Sequence, residues 1–286
     1  MTAEQRVWLI TGTSSGLGKC LVASALGRGD LVIATVRRRE DFSLTDVDTS
    51  RLHVLVLDVT EPEDDVRRKL DDAWNVWGRI DVLVNNAGYV SQCLVEEGGL
   101  SAATAQFNVN FFGVLKVTNA VLPHMRSRKS GLIVFIGSRA VWQADISTAA
   151  FYIASKAAIH TFSETLASEV GQFGIRVLLA VPGSFRTSQD KQTYTQNTHV
   201  VEYDGFREQI LTSMEEYWRH GAKGDPKKAM EALMDVVRSE GNAEGREVPP
   251  LLPLGSATYT QAKLHCERLS DNVSKWEAIG KDLDCD

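Results

Sequence analysis

The sequence predicts an α/β fold with three layers, in which one doubly wound parallel sheet lies between two layers of helices. Short apolar runs alternate with amphipathic segments along the chain, as they do in successive β-α-β units. The run 54–57, Val-Leu-Val-Leu, is almost wholly apolar, which is typical of a strand covered on both faces. A glycine-rich turn follows the first apolar run. We therefore expect a ligand site beyond the carboxyl ends of the strands.

The same alternation predicts the individual elements. Strands are expected at residues 7–11, 31–36, 54–58, 82–85, 132–136 and 177–181. Helices are expected at 17–26, 63–77, 104–122, 206–218, 226–237 and 259–279, and the prolines of 248–255 predict an extended segment. We expect residues 1–286 to form a single domain, with a substrate lid at 186–225 and a C-terminal helical extension at 226–286.

Composition narrows the class of protein. The chain has 286 residues, of which 43% are hydrophobic and 24% charged, as in ordinary globular domains. A formal net charge of -6 argues against nucleic acid or an anionic membrane surface as the main partner. Its four cysteines show no C-x-x-C spacing, and no apolar stretch reaches the roughly 20 residues of a membrane helix. We expect a cytoplasmic protein with a small-molecule substrate, without disulfides, bound metal, nucleic acid or membrane.

The glycine-rich turn at 12–18, Gly-Thr-Ser-Ser-Gly-Leu-Gly, joins the first strand to the first helix. Glycines there let the backbone approach a pyrophosphate closely, and the helix N-terminus supplies amide donors. The first five residues also fit G-x-S-x-G, the nucleophile elbow of serine hydrolases, with Ser14 as the nucleophile. Such a hydrolase needs several strands before the elbow and a later histidine; one strand precedes Gly12, although His199, His220 and His265 follow. A serine hydrolase therefore stays open as an alternative.

The ends of the second and third strands bear on cofactor choice. Arg37 and Arg38 follow a strand that ends without a carboxylate, at the position where dinucleotide-binding folds distinguish a ribose hydroxyl from a 2′-phosphate. Guanidinium groups suit a phosphate, so NADP(H) is expected in preference to NAD(H); the alternative is a solvated basic loop. Asp58, after the third strand, is placed either to contact an adenine or to cap the next helix.

Tyr152 and Lys156 are four residues apart in an alanine-rich segment with helical character, so both lie on one helix face. A neighbouring ammonium should lower the pKa of the phenol toward the working range of an acid/base catalyst; a chance pairing is the alternative. Ser138 ends the fifth strand and brings a hydroxyl to the same edge. Asn110, polar among apolar neighbours, needs partners that a helix kink with a bound water would supply.

Taken in order, these motifs resemble the short-chain dehydrogenase/reductase family, in its compact single-domain branch, over residues 7–187. They are Thr11-Gly-x-x-x-Gly16-x-Gly18, Asn85-Asn-Ala-Gly88, Asn110, Ser138, Tyr152-x-x-x-Lys156 and Pro182-Gly183-x-x-x-Thr187. Beyond Thr187 the chain is only loosely similar to retinol and 17β-hydroxysteroid dehydrogenases. The resemblance implies a Rossmann fold and hydride transfer to or from a nicotinamide cofactor.

The resemblance also implies a role for each residue. Tyr152 would donate or accept the proton, and Lys156 would lower its pKa and hold the nicotinamide ribose. Ser138 would polarise the substrate oxygen, and Asn110 would hold a water in a proton relay. Cofactor contacts are implied for Gly12, Ser14, Ser15, Gly16, Leu17, Gly18, Arg37, Arg38, Asp58, Val59, Asn86, Ala87, Gly88, Tyr152, Lys156, Pro182, Gly183, Phe185 and Thr187. The run 137–139, Gly-Ser-Arg, departs from the family's usual pair of serines, and Arg139 is expected to bias what reaches the site.

These observations predict an NADPH-dependent oxidoreductase, a carbonyl reductase that interconverts a ketone or aldehyde with an alcohol. A bulky apolar or aromatic substrate is expected from Val141, Trp142, Tyr194, Tyr203, Phe206, Met214, Tyr217 and Trp218. A non-catalytic, nucleotide-sensing relative is the alternative, but it should lack Tyr152 and Lys156. A homodimer or homotetramer is expected through the helices of Asn110 and Tyr152, where Phe111, Phe112, Val114 and Leu115 exceed the apolar surface that one buried face needs.

Overall fold

A computed structural model describes residues 5–45, 48–143, 145–187, 194–220 and 222–285, and these form one sheet of seven parallel strands. The order across the sheet is β3-β2-β1-β4-β5-β6-β7, so the direction of winding reverses between β1 and β4, which confirms the doubly wound fold. The strands are β1 Val7–Ile10, β2 Leu31–Val36, β3 Leu52–Val56, β4 Val82–Asn85, β5 Gly131–Ile136, β6 Ile175–Pro182 and β7 Leu251–Leu254.

Helices cover both faces of this sheet. They are α1 Gly16–Gly27, α2 Glu63–Trp77, α3 Val95–Phe107, α4 Val114–Arg128, α5 Ala150–Val170, α6 Asp204–His220, α7 Pro226–Arg238 and α8 Ser256–Gly280. Apolar residues of α2, α4 and α5 form one buried core with the sheet, and those of α1 and α7 form the other. Because successive side chains of a strand point to opposite faces, Val7 and Leu9 lie in the first core, and Trp8 and Ile10 lie in the second.

Three elements differ from the sequence prediction. The apolar run that suggested a strand covered on both faces belongs to β3, which is an edge strand with Val56 41% exposed. An apolar run therefore identified a strand but not its place in the sheet. The predicted helix 104–122 is instead the end of α3, a π-helical turn at Asn108–Gly113 and the start of α4. The extended segment predicted at 248–255 contains β7, which extends the sheet beside β6, so the C-terminal extension 226–286 is not purely helical. Pro253 is tolerated there since β7 is the other edge.

The segment predicted as a lid is tied to the body of the protein by a buried carboxylate. Glu97, on α3, is fully buried and accepts hydrogen bonds from Arg207 of α6, from the Tyr194 hydroxyl and from Gln196 Nε2 at 3.1 Å. The Arg207 guanidinium and the Tyr194 hydroxyl hold the pKa of Glu97 well below its usual value. This ionised carboxylate fixes α6 next to α3, whereas residues 188–193 and the side chain of Trp218 lie outside the described part of the structure.

The last helix lies on the surface, as expected. Thr258 is its buried residue, while Leu269, Val273 and Trp276 are each more than half exposed. None of the helices in the described residues combines the length and apolar character needed to cross a membrane.

Candidate active site

A cleft of about 1350 Å³ opens at the carboxyl ends of the strands. Its walls come from the loops after β1 to β6 and from one face of α6. Most of the residues predicted to contact a cofactor line this cleft, and Gly18 and Arg38 do not. Those that line it are Gly12, Ser14, Ser15, Gly16, Leu17, Arg37, Asp58, Val59, Asn86, Ala87, Gly88, Tyr152, Lys156, Pro182, Gly183, Phe185 and Thr187.

The glycine loop at one end of the cleft is held by close packing and hydrogen bonds. Gly12 has φ +69°, and a Cβ at this position would lie 2.7 Å from Ala87 Cα, so only glycine fits. Thr13 donates from its backbone N and from Oγ1 to the carbonyl oxygen of Thr35, at 3.0 and 2.9 Å. Asn86 Nδ2 donates to the carbonyl oxygens of Thr11 and Gly12, at 2.8 and 2.9 Å. The loop is thereby fixed to the ends of β2 and β4.

The start of α1 faces this loop with unsatisfied donors. Ser15 is the N-cap residue, and its side chain makes no capping hydrogen bond, so the first amide groups of the helix stay available to an anion. Beside the same loop, where a Cβ on Gly16 would lie 3.5 Å from Thr187 Cβ, Thr187 Oγ1 is buried and has no hydrogen-bond partner among the described residues. An amide or hydroxyl of a ligand would satisfy it. Helix amides and an unpaired hydroxyl that lie next to each other fit the phosphate region of a dinucleotide.

The two arginines after β2, both predicted to contact the cofactor, differ in position. Arg37 lines the cleft, whereas Arg38 forms a bidentate ion pair with Asp41, with Nε and Nη2 3.1 and 2.8 Å from the two carboxylate oxygens. The Arg38 side chain is 69% exposed. A short helical turn, Arg39–Asp41, brings this carboxylate within reach. Arg37 is therefore open to the cleft, and Arg38 is held by a carboxylate outside it.

Tyr152 and Lys156 lie on α5 at the centre of the cleft, with Ser138 at the end of β5. Lys156 Nζ donates to the carbonyl oxygen of Ile136 at 2.7 Å, and burial lowers the pKa of this ammonium to about 8. Burial raises the pKa of Tyr152, while a hydrogen bond with Ser138 and the charge of Arg139 act in the opposite direction. The predicted lowering of the Tyr152 pKa by Lys156 is therefore wrong for this state, because the ammonium is directed to a backbone carbonyl.

Asn110 lies behind the cleft wall and does not line it. Its side chain is fully buried in the π-helical turn, where Oδ1 accepts from the Tyr89 backbone N at 3.1 Å. Its Nδ2 donates to the Tyr89 carbonyl oxygen at 3.0 Å and to Ser155 Oγ at 3.1 Å. The predicted interruption of the helix is present, and the partners of Asn110 are the Tyr89 backbone and Ser155.

His160 was not identified from the sequence as part of the site. Its Nε2 accepts a hydrogen bond from the Ser138 backbone N at 3.2 Å, and its ring packs edge-on against Trp142. Burial, with a smaller contribution from Lys156, lowers the pKa of this imidazole to about 4, so it is neutral at pH 7 and can accept. Tyr152, Lys156 and His160 follow one another at intervals of four positions, so they share one face of the helix. This spacing could have identified His160 from the sequence.

The bulky side chains predicted around the substrate divide into two groups. Met214 and Tyr217 line the cleft. Tyr194 is instead hydrogen-bonded to Glu97, and Trp142 packs on His160. Phe206 is 46% exposed and does not line the cleft.

Among the described residues, the serine hydrolase alternative lacks its partners; the side chain of His220 lies outside them. Ser14 is exposed in the glycine loop, and in the described part of the chain its hydroxyl has no histidine or carboxylate partner. His199 contacts Gln196 and Asp204, and His265 contacts Arg268. A serine without a base is not an activated nucleophile.

Acid titration should reveal the buried His160. Its pKa is about 4 in the folded protein and about 6.5 when unfolded, so the unfolded chain binds the extra proton between these values. Its contribution to stability is therefore complete above pH 6.5 and is lost as the pH falls toward 4. Between pH 6.5 and 4.5, the wild type should lose about 2 kcal/mol more free energy of unfolding than His160→Asn, measured by urea titration. The exposed His265→Asn is the control, and equal pH slopes for wild type and His160→Asn would contradict the assignment.

Comparison with known proteins agrees with this geometry. The family model described as short chain dehydrogenase matches residues 6–198. The oxidoreductase BOA17 of Botryotinia fuckeliana is 31% identical over 282 residues, which cover 96% of this chain and 97% of that protein. The 3-ketodihydrosphingosine reductase of Bacteroides thetaiotaomicron is 33% identical over 256 residues, covering 87% of this chain and 90% of that one.

A solved structure is similar over the whole length. The crystal structure of a short-chain dehydrogenase from Streptomyces avermitilis has a TM-score of 0.82 at 32% identity, covering 99% of this chain and 100% of that one. The fold of the chain, with its seven parallel strands between helices, accords with these matches. The chain is therefore an oxidoreductase that belongs to the short-chain dehydrogenase/reductase family.

Proposed function

We propose that this protein is an NADPH-dependent carbonyl reductase that interconverts a bulky ketone or aldehyde with its alcohol. The observation that carries the proposal is one continuous cleft with the phosphate-type donors of the glycine loop at one end and Ser138, Tyr152 and Lys156 further along. A dinucleotide in that cleft would bring its reactive ring to a proton donor, which is the arrangement that hydride transfer to a carbonyl needs.

Each side chain has a distinct part in this chemistry. NADPH, when bound, would supply the hydride. Tyr152 would donate its phenolic proton to the substrate oxygen as charge develops there, and the Ser138 hydroxyl would donate a hydrogen bond to the same oxygen. His160, by accepting from the backbone N of Ser138, holds that residue in place. Lys156, charged at pH 7 with its pKa near 8, would hold the cofactor ribose.

The pKa of Tyr152 is compatible with the role of proton donor. Burial raises it, so the phenol keeps its proton at neutral pH and is ready to donate. The presence of Tyr152, Lys156 and Ser138 in one cleft also speaks against a non-catalytic relative, which would have no use for a proton donor beside the cofactor.

Loss of the phenol should abolish turnover and spare the cofactor. Tyr152→Phe removes the proton donor, so kcat/KM should fall by about 100- to 10,000-fold, the range of general acid catalysis. The Kd for NADPH, measured by fluorescence titration, should change by no more than about threefold, because many other contacts hold the cofactor. Tyr89→Phe, another tyrosine that lines the cleft, is the control. A Tyr152→Phe variant with most of its activity would refute the acid/base assignment.

Substrate size follows from the side chains on α6. Ile210, Met214 and Tyr217 line the cleft opposite the loop after β5, and apolar surface of this kind is best satisfied by burying apolar surface of a ligand. In a screen of carbonyl compounds followed by NADPH absorbance, bulky aromatic or aliphatic ketones and aldehydes should have higher kcat/KM than small polar ones. The reverse order would contradict this part of the proposal.

Cofactor choice rests on Arg37. Proteins of similar fold are complexed with NADP in some cases and with NAD in another, so the fold does not decide it. A charge-assisted hydrogen bond to the 2′-phosphate contributes about 1.5 to 3 kcal/mol. NADPH should therefore exceed NADH by about one to two powers of ten in kcat/KM.

Single substitutions separate the two arginines. Arg37→Leu should remove most of the NADPH preference, whereas Arg38→Leu, which breaks the Asp41 ion pair outside the cleft, should change it by no more than about twofold. Val36→Asp combined with Arg37→Leu should move the preference toward NADH. A wild type that prefers NADH, or an Arg37→Leu variant with unchanged preference, would refute the assignment.

Assembly into a homodimer or homotetramer stays a prediction. Phe112, in the π-helical turn, is 46% exposed. It supplies part of the exposed apolar surface that a subunit interface requires. Light scattering at micromolar concentration measures the assembly, and a monomer would contradict it.

A further inference from the structure

Arg139 is a cation in the cleft without a counter-ion among the described residues. It directly follows Ser138 and lines the cleft. Its Nη1 donates to Gln143 Oε1 at 2.6 Å, and its Nη2 donates to Ser184 Oγ at 3.1 Å. Both acceptors are neutral, so they orient the guanidinium but leave its charge unbalanced. Two of its five N–H donors are used in these contacts, which leaves three for a ligand.

Three other arginines with limited exposure have carboxylate partners, whereas the partly buried Arg6 resembles Arg139 in donating to a neutral acceptor, the Val237 carbonyl oxygen. Arg28, Arg207 and Arg238 each pair with at least one carboxylate at no more than 2.7 Å. In the described ranges of the chain, Arg139 has no carboxylate oxygen within 4.0 Å. A partly buried charge without a partner loses hydration and gains nothing in return. A site that keeps such a cation open is suited to a ligand that brings the anion.

The other charges of the cleft are already assigned. Among the described residues that line it, Arg37, Arg139 and Lys156 are cationic and Asp58 is the carboxylate. Under the proposed function, Arg37 meets the 2′-phosphate and Lys156 meets the ribose. Asp58 follows β3, at the cofactor end. Arg139 lies beside Ser138 and contacts Ser184, whose Oγ also accepts from the Tyr217 hydroxyl of α6 at 2.7 Å. Its position is therefore at the substrate end.

We propose that Arg139 binds a carboxylate of the substrate, so that the preferred substrates are oxo acids with an apolar body, and the products are the corresponding hydroxy acids. The planar guanidinium can bind both oxygens of a carboxylate. Ile210, Met214 and Tyr217 of α6 would cover the apolar body of the same molecule. This inference rests on the proposed function and adds the substrate class to it.

Two other roles for Arg139 make different predictions. Its charge acts on Tyr152, lowering the phenol's pKa; if that were its whole contribution, every carbonyl substrate would depend on it equally. A contact with a cofactor phosphate would instead show in the affinity for NADPH. Matched acids and esters separate these roles from binding of a substrate carboxylate.

The test uses benzoylformate, 3-benzoylpropanoate and 4-benzoylbutanoate, each beside its methyl ester, because the ketone and the carboxylate are joined directly in the first acid and are progressively further apart in the other two. For at least one pair, wild-type kcat/KM for the acid should exceed that for the ester by about 10- to 100-fold. Arg139→Gln should bring this ratio to about one, mainly through KM, and Arg139→Lys should keep part of it. The Kd for NADPH should stay within about threefold, which also shows that the variants fold.

Several results would overturn the inference. One is a wild type that prefers the ester in every pair. Another is an Arg139→Gln variant whose kcat/KM falls equally for the acid and the ester. The third is a large rise in the Kd of that variant for NADPH. Good turnover of the esters without preference for acids would leave the proposed function intact and refute this substrate class. If none of the ketones is turned over, calorimetry of the same acids and esters on NADPH-loaded Tyr152→Phe, with and without Arg139→Gln, decides: tighter acid binding that depends on Arg139 supports the inference, and equal binding refutes it.

Discussion

The hydrogen bond from Lys156 Nζ to the carbonyl oxygen of Ile136 is the contact on which the rest of the site depends. It joins the middle of α5 to the end of β5 and thereby sets where the helix lies against the carboxyl edge of the sheet. Tyr152 lies one turn before Lys156 and His160 one turn after it, so both are positioned around Ser138 by the same bond. Burial of the ammonium is unfavourable and lowers its pKa to about 8, yet at pH 7 the group stays charged and this contact persists.

Charge is distributed unevenly along the cleft that this edge creates. Arg37 lies at the end of β2, Lys156 at the centre of the cleft and Arg139 directly after Ser138. Apolar side chains of α6 line the cleft as well. Two molecules would together satisfy these features: a cofactor with a phosphate near Arg37, and a substrate with an anionic group near Arg139 and an apolar body beside α6. The ion pair of α6 with the buried Glu97 attaches the apolar wall to α3.

Much of the fold could be predicted, because apolar runs and glycine turns are local signals. The strands β1, β2, β4, β5 and β6 agree with the predicted ones to within two residues at either end. The position of β3 at the edge could not be read from its own residues, since an edge and a central strand can have the same apolar pattern. The π-helical turn depends on Asn110 reaching the backbone of Tyr89, a contact between residues 21 positions apart that no local pattern contains.

The candidate site shows the same division. Motif residues were found because their spacing reflects covalent geometry, one turn of helix or one tight loop. Their electrostatic environments could not be predicted in the same way, because these depend on which acceptor each charged group meets in three dimensions. Arg38 pairs with Asp41 instead of facing the cleft, and Lys156 meets a carbonyl instead of the Tyr152 phenol. His160 was missed although its spacing places it on the same helix face as Tyr152 and Lys156, because that spacing does not show its acceptor role toward Ser138.

The central claim is that the cleft transfers a hydride from a nicotinamide to a carbonyl carbon. The most direct measurement uses NADPH that carries deuterium at the transferable C4 position. A ketone or aldehyde is the substrate, and the alcohol formed from it is analysed. Mass spectrometry and NMR of the alcohol should find one deuterium on the former carbonyl carbon, with none exchanged into solvent, because hydride passes directly between the two bound molecules. An alcohol without deuterium at that carbon, formed while NADPH is consumed, would contradict the account.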